Sequence, residues 1–181
     1  MMALALLLLC APDAGDATVV DISGDVDVSI SYDSQRLAAG AVEVSLAGQT
    51  FTVKANGEAR AKISFGAPNI EKLIVHDRAR VVLESFTGKA LHIVASGGAV
   101  VVVRGQNTRT LIVHGAGTSR VDAEGLAVED AEVILKDAAR AATRASKSLT
   151  CDLKKASRLV VTGKPARVDK KLAGVAKLDL R

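Results

Sequence analysis

The sequence predicts an all-β fold: a β-helix-like solenoid of about five rungs with an N-terminal antiparallel strand cap. Three observations predict it. Apolar residues alternate at period two within short segments, the segments recur about every twenty residues, and no proline interrupts them. Stepping on from Leu73 reaches Leu91, Leu111, Ala131 and Leu149 at intervals of 18, 20, 20 and 18. Two residues beyond each stand Val75, Ile93, Val113, Val133 and Cys151. A second strand completes each unit, at Val81/Leu83, Val101/Val103, Val121/Ala123, Ala141/Thr143 and Leu159/Val161. Equivalent positions that are apolar in every unit are what a stack of identical rungs requires.

Composition fits narrow, layered sheets. Of 181 residues, 49% are hydrophobic, yet only three Phe, one Tyr and no Trp occur. The core is therefore built from Val, Leu, Ile and Ala, which pack well on pleated surfaces.

Taken in order, residues 1–17 read as a secretion signal. Leu4 to Leu9 form an apolar run too short to span a bilayer, followed by small residues, with Gly15 and Ala17 placed for cleavage before Thr18. The basic residues that usually open such a signal are missing, which suggests a later start than the true one. A lipid anchor at Cys10 is the rival reading, and Leu9 argues against it because a small residue is expected there. Without Cys10, Cys151 is the sole cysteine and no intramolecular disulfide can form. Cleavage would remove Asp13 and Asp16 and leave 24 basic against 18 acidic residues. That modest excess suits an anionic partner without identifying one. The expected location is periplasm, outer-membrane surface or medium, with no transmembrane segment in the mature chain.

Residues 18–68 read as ordinary antiparallel strands, VVDISGDVDVSISY, AVEVSLAG, TFTVKAN and ARAKISFGA, with Asn56-Gly57 as a hairpin signal. They would cover the first rung and hide its edge. Residues 69–165 carry the repeats, bracketed by Pro68 and Pro165. Within them, residues 129–149 are rich in Ala, Lys, Arg and Glu and favour helix by propensity. Val133, Leu135 and Ala141 nevertheless fall on ladder positions, so strand is expected. Glu84, Arg104, Glu124 and Arg144, twenty apart and alternating in sign, are expected to form an outward ion-pair ladder. Residues 166–181 are expected to close the far end.

Several stretches together resemble a known family, the auto-transporter adhesin or head GIN domain. They are the Gly-Asp turn of ISGDVDVSI, the run AKISFGAPNIEKLIV, the Gly-rich turns VASGGAV and VHGAGTSRV, and the ending VVTGKPARVDKKLAGVAKLDL. The resemblance covers roughly residues 18–181. It implies a right-handed parallel β-helix-like domain, exported by bacteria to the envelope, with no established molecular activity. The later turns, LKDAARA and LKKASRL, depart from the pattern because they lack its glycines, which argues against the same tight geometry there.

Candidate chemistry is sparse. Arg80, Arg120, Arg140 and Arg158 each precede the second strand of a rung, with Val100 interrupting, so stacking would make them an anion-binding stripe, with Arg60 at its edge. The competing reading is solvated turn residues paired with nearby carboxylates. Nucleic acid is not expected, because no aromatic side chains interleave for base stacking. His76 and His114 would stand two rungs apart across Val94, about 9.6 Å, too far to share an ion. Cys151 falls on a core position and is expected to be inert. The acidic residues Asp77, Asp122, Asp130, Asp137 and Asp152 do not line up for a calcium-assisted lyase. No catalytic residue, metal or cofactor is assigned. The expected function is a non-enzymatic, adhesin-like interaction module with an anionic glycan or envelope protein as partner. A carbohydrate-active enzyme on the same scaffold and a self-associating structural solenoid are the alternatives.

Overall fold

The computed structural model describes residues 14, 17–31, 37–39, 42–55 and 61–181. Every regular element among them is a strand, and the strands wind into a β-solenoid. The strands are β1 (Val19–Ser23), β2 (Val26–Ser31), β3 (Leu37–Ala39), β4 (Val42–Ala47), β5 (Thr50–Ala55), β6 (Ala61–Gly66), β7 (Lys72–Val75) and β8 (Arg80–Phe86). There follow β9 (Ala90–Ala95), β10 (Val100–Gly105), β11 (Thr108–Gly115), β12 (Arg120–Leu135), β13 (Arg140–Leu153), β14 (Arg158–Thr162), β15 (Arg167–Leu172) and β16 (Lys177–Leu180). The segment with helical propensity lies within β12 and β13. Its ladder positions Val133, Leu135 and Ala141 are buried, so tertiary burial overrides local preference.

Two parallel ladders face each other across the core. One runs β5, β1, β7, β9, β11, then the second halves of β12 and β13, then β15. The other runs β6, β2, β8, β10, the first halves of β12 and β13, β14 and β16. Five rungs lie between Lys72 and Thr162, as the periodicity predicts. Inward residues are fully buried, Leu111 and Val113 from one ladder and Val121 and Ala123 from the other.

The N-terminal region departs from expectation. Only β3 and β4 pair antiparallel, β3 on β6 and β4 on β5, and these form the cap. β1, β2, β5 and β6 pair in parallel and extend the stack by two more rungs. β5 and β6 do not pair with each other, so they are not the two arms of a hairpin. Asn56-Gly57 and Arg60 lie outside the described residues. So does Cys10; of residues 1–17 only Ala14 and Ala17 are described, and both are buried. The tail also stacks: β15 lies on β13 and β16 on β14. No helix among the described residues is long and apolar enough to cross a membrane.

Register differs from the sequence reading at one step. Leu73 pairs with Ile93 and Val75 with Ala95, two residues from the predicted partners Leu91 and Ile93. A slip of two keeps the same faces inward, so burial alone cannot distinguish the registers. From Leu91 onward the predicted partners hold: Leu91 on Leu111, Leu111 on Ala131, Ala131 on Leu149.

Candidate anion-binding face

The site begins at a corner. In each central rung a four-residue turn closes with an N–H to C=O bond of 3.3–3.4 Å, from Ala79 to His76, Ala99 to Ser96, Ser119 to Ala116, Ala139 to Lys136 and Ser157 to Lys154. The second residue of each turn has positive φ: Asp77 (61°), Gly97 (69°), Gly117 (71°), Asp137 (62°) and Lys155 (61°). The corners without glycine therefore keep the tight geometry, contrary to the expectation from LKDAARA and LKKASRL. Small buried residues fill the next row, Ala79, Ala99, Ser119, Ala139 and Ser157. The chain leaves this row already extended, so the following residue points outward at the same height in every rung.

That residue is the predicted arginine. Arg80 pairs with Val100, Val100 with Arg120, Arg120 with Arg140 and Arg140 with Arg158. All four arginines are exposed. The row continues where the sequence reading stopped, because Arg158 pairs with Lys177. Pro165 had marked the end of the repeats, and a rung of 19 residues beyond Arg158 was missed for that reason. Arg120, Arg140, Arg158 and Lys177 thus occupy consecutive rungs.

No carboxylate among the described residues makes an ion pair with any of these five cations; the ion pairs there involve other groups, such as Arg78 with Asp25 at 3.1 Å and Arg181 with Asp179 at 2.9 Å. The neighbouring outward row holds Val82, Val102, Asp122, Ala142, Val160 and Asp179 in register. Asp122 stands beside Arg120 yet its Oδ1 accepts the Glu124 N–H at 3.2 Å. The result is a shallow depression over β10, β12, β13 and β14, with Arg120, Arg140 and Arg158 along one side, Val102, Asp122, Ala142 and Val160 along the other, and Arg181 also in its lining.

The predicted charge ladder does not form. Arg104 pairs with Gly125, and Arg144 with Ala127, because register shifts interrupt β10 and β12 just before these positions. Bulges at the second corner move Glu124 out of the row.

The opposite outward face carries the histidines. His76 stands over Ser96, its Nδ1 2.7 Å from Ser96 Oγ, rather than in line with Val94 and His114. His92 and His114 meet edge-on with ring centroids 4.8 Å apart. Burial lowers the His92 pKa, and His114 and Lys72 lower it further. Among the described residues no three metal-ligating side chains converge. Cys151 is buried on its ladder position, between Val133 and Lys170, and burial raises its thiol pKa. Of the acidic residues, Asp77 and Asp137 sit at the first corner and bind backbone there. Asp77 Oδ2 accepts the Gly24 N–H at 3.0 Å and Asp137 Oδ2 accepts the Gly117 N–H at 3.3 Å.

The family described as "Putative auto-transporter adhesin, head GIN domain" matches residues 65–165, the span of the five central rungs. Crystal structures of three proteins described as a "putative adhesin" share the fold. The one from Bacteroides fragilis superposes with a TM-score of 0.73 at 12% identity, covering 94% of each chain. Those from Parabacteroides merdae (0.54, 16% identity, 92% of each chain) and Parabacteroides distasonis (0.53, 13%, 94% of each) are less close. No curated protein matches the chain.

Proposed function

Because the chain belongs to the auto-transporter adhesin, head GIN family, we propose that it is a non-enzymatic interaction module of the bacterial envelope or cell surface, exported there, that binds an anionic partner through the arginine row. One observation carries the reading. Guanidinium groups on consecutive rungs are like charges in direct register, an arrangement that is destabilising in a sheet unless counter-charges answer it. Among the described residues Asp27 stands opposite Arg80, but no carboxylate makes an ion pair with Arg120, Arg140 or Arg158, and an anionic ligand would supply the missing counter-charges. Guanidinium forks bind carboxylate, sulfate and phosphate with two hydrogen bonds each.

The test is retention of the chain on arrays of acidic and neutral glycans, with envelope extract as a parallel source of protein partners. Acidic ligands should be retained, and Arg120→Ala with Arg140→Ala should abolish retention while the melting temperature stays within a few degrees. Failure to bind any anionic polymer or acidic protein would count against the reading.

Self-association is a second reading. Among the described residues the exposed large apolar side chains, Val168, Leu172, Val175 and Leu180, all belong to the rung of β15 and β16. Sedimentation that changes with concentration, and ceases to do so on Leu172→Lys, would favour it.

A further inference from the structure

We propose that the ligand of the arginine row is a linear acidic polysaccharide, lying along the solenoid axis with one anionic group per rung. The proposal rests on the anionic-partner reading and specifies the polymer. Parallel rungs repeat at about 4.8 Å, so Arg120, Arg140, Arg158 and Lys177 set four cations along about 14 Å. An extended acidic peptide presents same-side carboxylates only every two residues, about 6.6 Å, and loses register after one step. A strand of B-DNA offers phosphates about every 3.4 Å along its axis and errs the other way. A chain of pyranose units, each about as long as a rung is high, keeps step with the rungs, and rotation about its glycosidic bonds, unlike the fixed alternation of an extended peptide, can turn successive acidic groups toward the cation row.

The flanking row agrees. Val102, Ala142 and Val160 give the C–H face of a sugar ring an apolar floor beside the cations. Asp122 interrupts that floor between Val102 and Ala142, and Asp179, paired with Arg181, ends it beyond Val160, which keeps the charged edge of the polymer on the arginine side. Among the described residues the phenylalanines, Phe51, Phe65 and Phe86, are all buried, so the face offers no ring on which a nucleobase could stack.

Val100 makes the geometry testable. It is the single uncharged position between Arg80 and Lys177 and faces outward between Arg80 and Arg120. Binding of oligogalacturonides of two to eight units, one carboxylate per unit, is measured by titration calorimetry with the full chain. A matched series carrying one sulfate per sugar distinguishes carboxylate from sulfate recognition. Affinity should climb through four units, stay level at the fifth, which faces Val100, and gain once more at the sixth, which reaches Arg80, by roughly two- to five-fold per added contact. Arg140→Gln should stop the climb early, and Val100→Arg should add the missing step at the fifth unit. A fifth unit that still adds nothing in Val100→Arg overturns the axial arrangement. Binding of polyglutamate or DNA, but of neither sugar series, overturns the polysaccharide and leaves the anionic-partner reading standing. Binding of no anion overturns both.

Discussion

Lys155 holds a backbone conformation that its neighbours in the stack assign mostly to glycine or aspartate. Its φ is 61°, in the left-handed region, directly over the turns led by Asp137 and Gly174. Aspartate tolerates this region by bonding nearby backbone, as Asp77 and Asp137 do. Lysine has no such bond, and its ammonium instead reaches Asp137 Oδ1. Replacing Lys155 by glycine relieves about 1–2 kcal/mol of local strain and adds back about 0.4–1 kcal/mol of unfolded-state entropy. We expect Lys155→Gly to raise stability by about 0.5–1 kcal/mol in urea titrations at low pH, where the Asp137 contact it gives up no longer counts, and by less at neutral pH. Gly117→Ala should lower it by more than that, since its Cβ would come within 2.8 Å of the Gly97 carbonyl oxygen. The Asp137 carboxyl supplies a second readout. Its pKa is lowered first by the Lys155 hydrogen bond and then by the Gly117 N–H, so its stabilising effect is present above the ordinary carboxylate range and lost as pH falls through the lowered value. In Lys155→Gly that pKa should move back up. Sequence alone pointed the other way at this corner, because missing glycines argue against a tight turn. It could not show that the rungs on either side hold the backbone in place.

At the scale of a strand, what the period-two pattern made legible was which face is buried, not which partner is opposite. Burial distinguishes odd slips from the true register and is blind to even ones, which is why Leu73 was paired two residues away. The charge ladder failed for a related reason. A spacing of twenty aligns residues only where no bulge intervenes, and the second corner carries one between Val102 and Arg104. The arginine row survived because it follows the first corner directly, before any bulge. Strand integrity there depends on backbone donors: the Val100 N–H bonds the Ala79 carbonyl at 2.9 Å. Val100 and its partners Arg80 and Arg120 show that the position accepts apolar and cationic side chains alike. Val100→Arg should therefore fold like the parent. Val100→Pro removes the donor, orphans the carbonyl of buried Ala79, and should cost at least about 1–3 kcal/mol by urea denaturation.

For the whole molecule, order in the chain and order in the stack part company at the N-terminus. β1 and β2 lie between the rung of β5 and β6 and the rung of β7 and β8, although β5 and β6 come later in sequence. Periodicity reports that rungs exist and carries no information on which rung sits on which. The central rungs do follow chain order, and there the stack behaves as a one-dimensional array in which each rung contacts its neighbours alone. That makes a whole rung removable. Leu91 pairs with Leu111 and Leu111 with Ala131, so deleting residues 111–130 sets Ala131 on Leu91 with every inward residue still inward. The second ladder closes as well, since Val101 then meets Ala141 in place of Val121. The shortened chain should fold, keep its strand circular dichroism per residue and melt cooperatively, at reduced stability because Ala131 fills less volume than Leu111 against Leu91. Deleting residues 111–129, one residue fewer, turns every later side chain to the wrong face at that junction. That variant should lose the cooperative melt. If both deletions melted alike, the in-register stack would not be what specifies this fold.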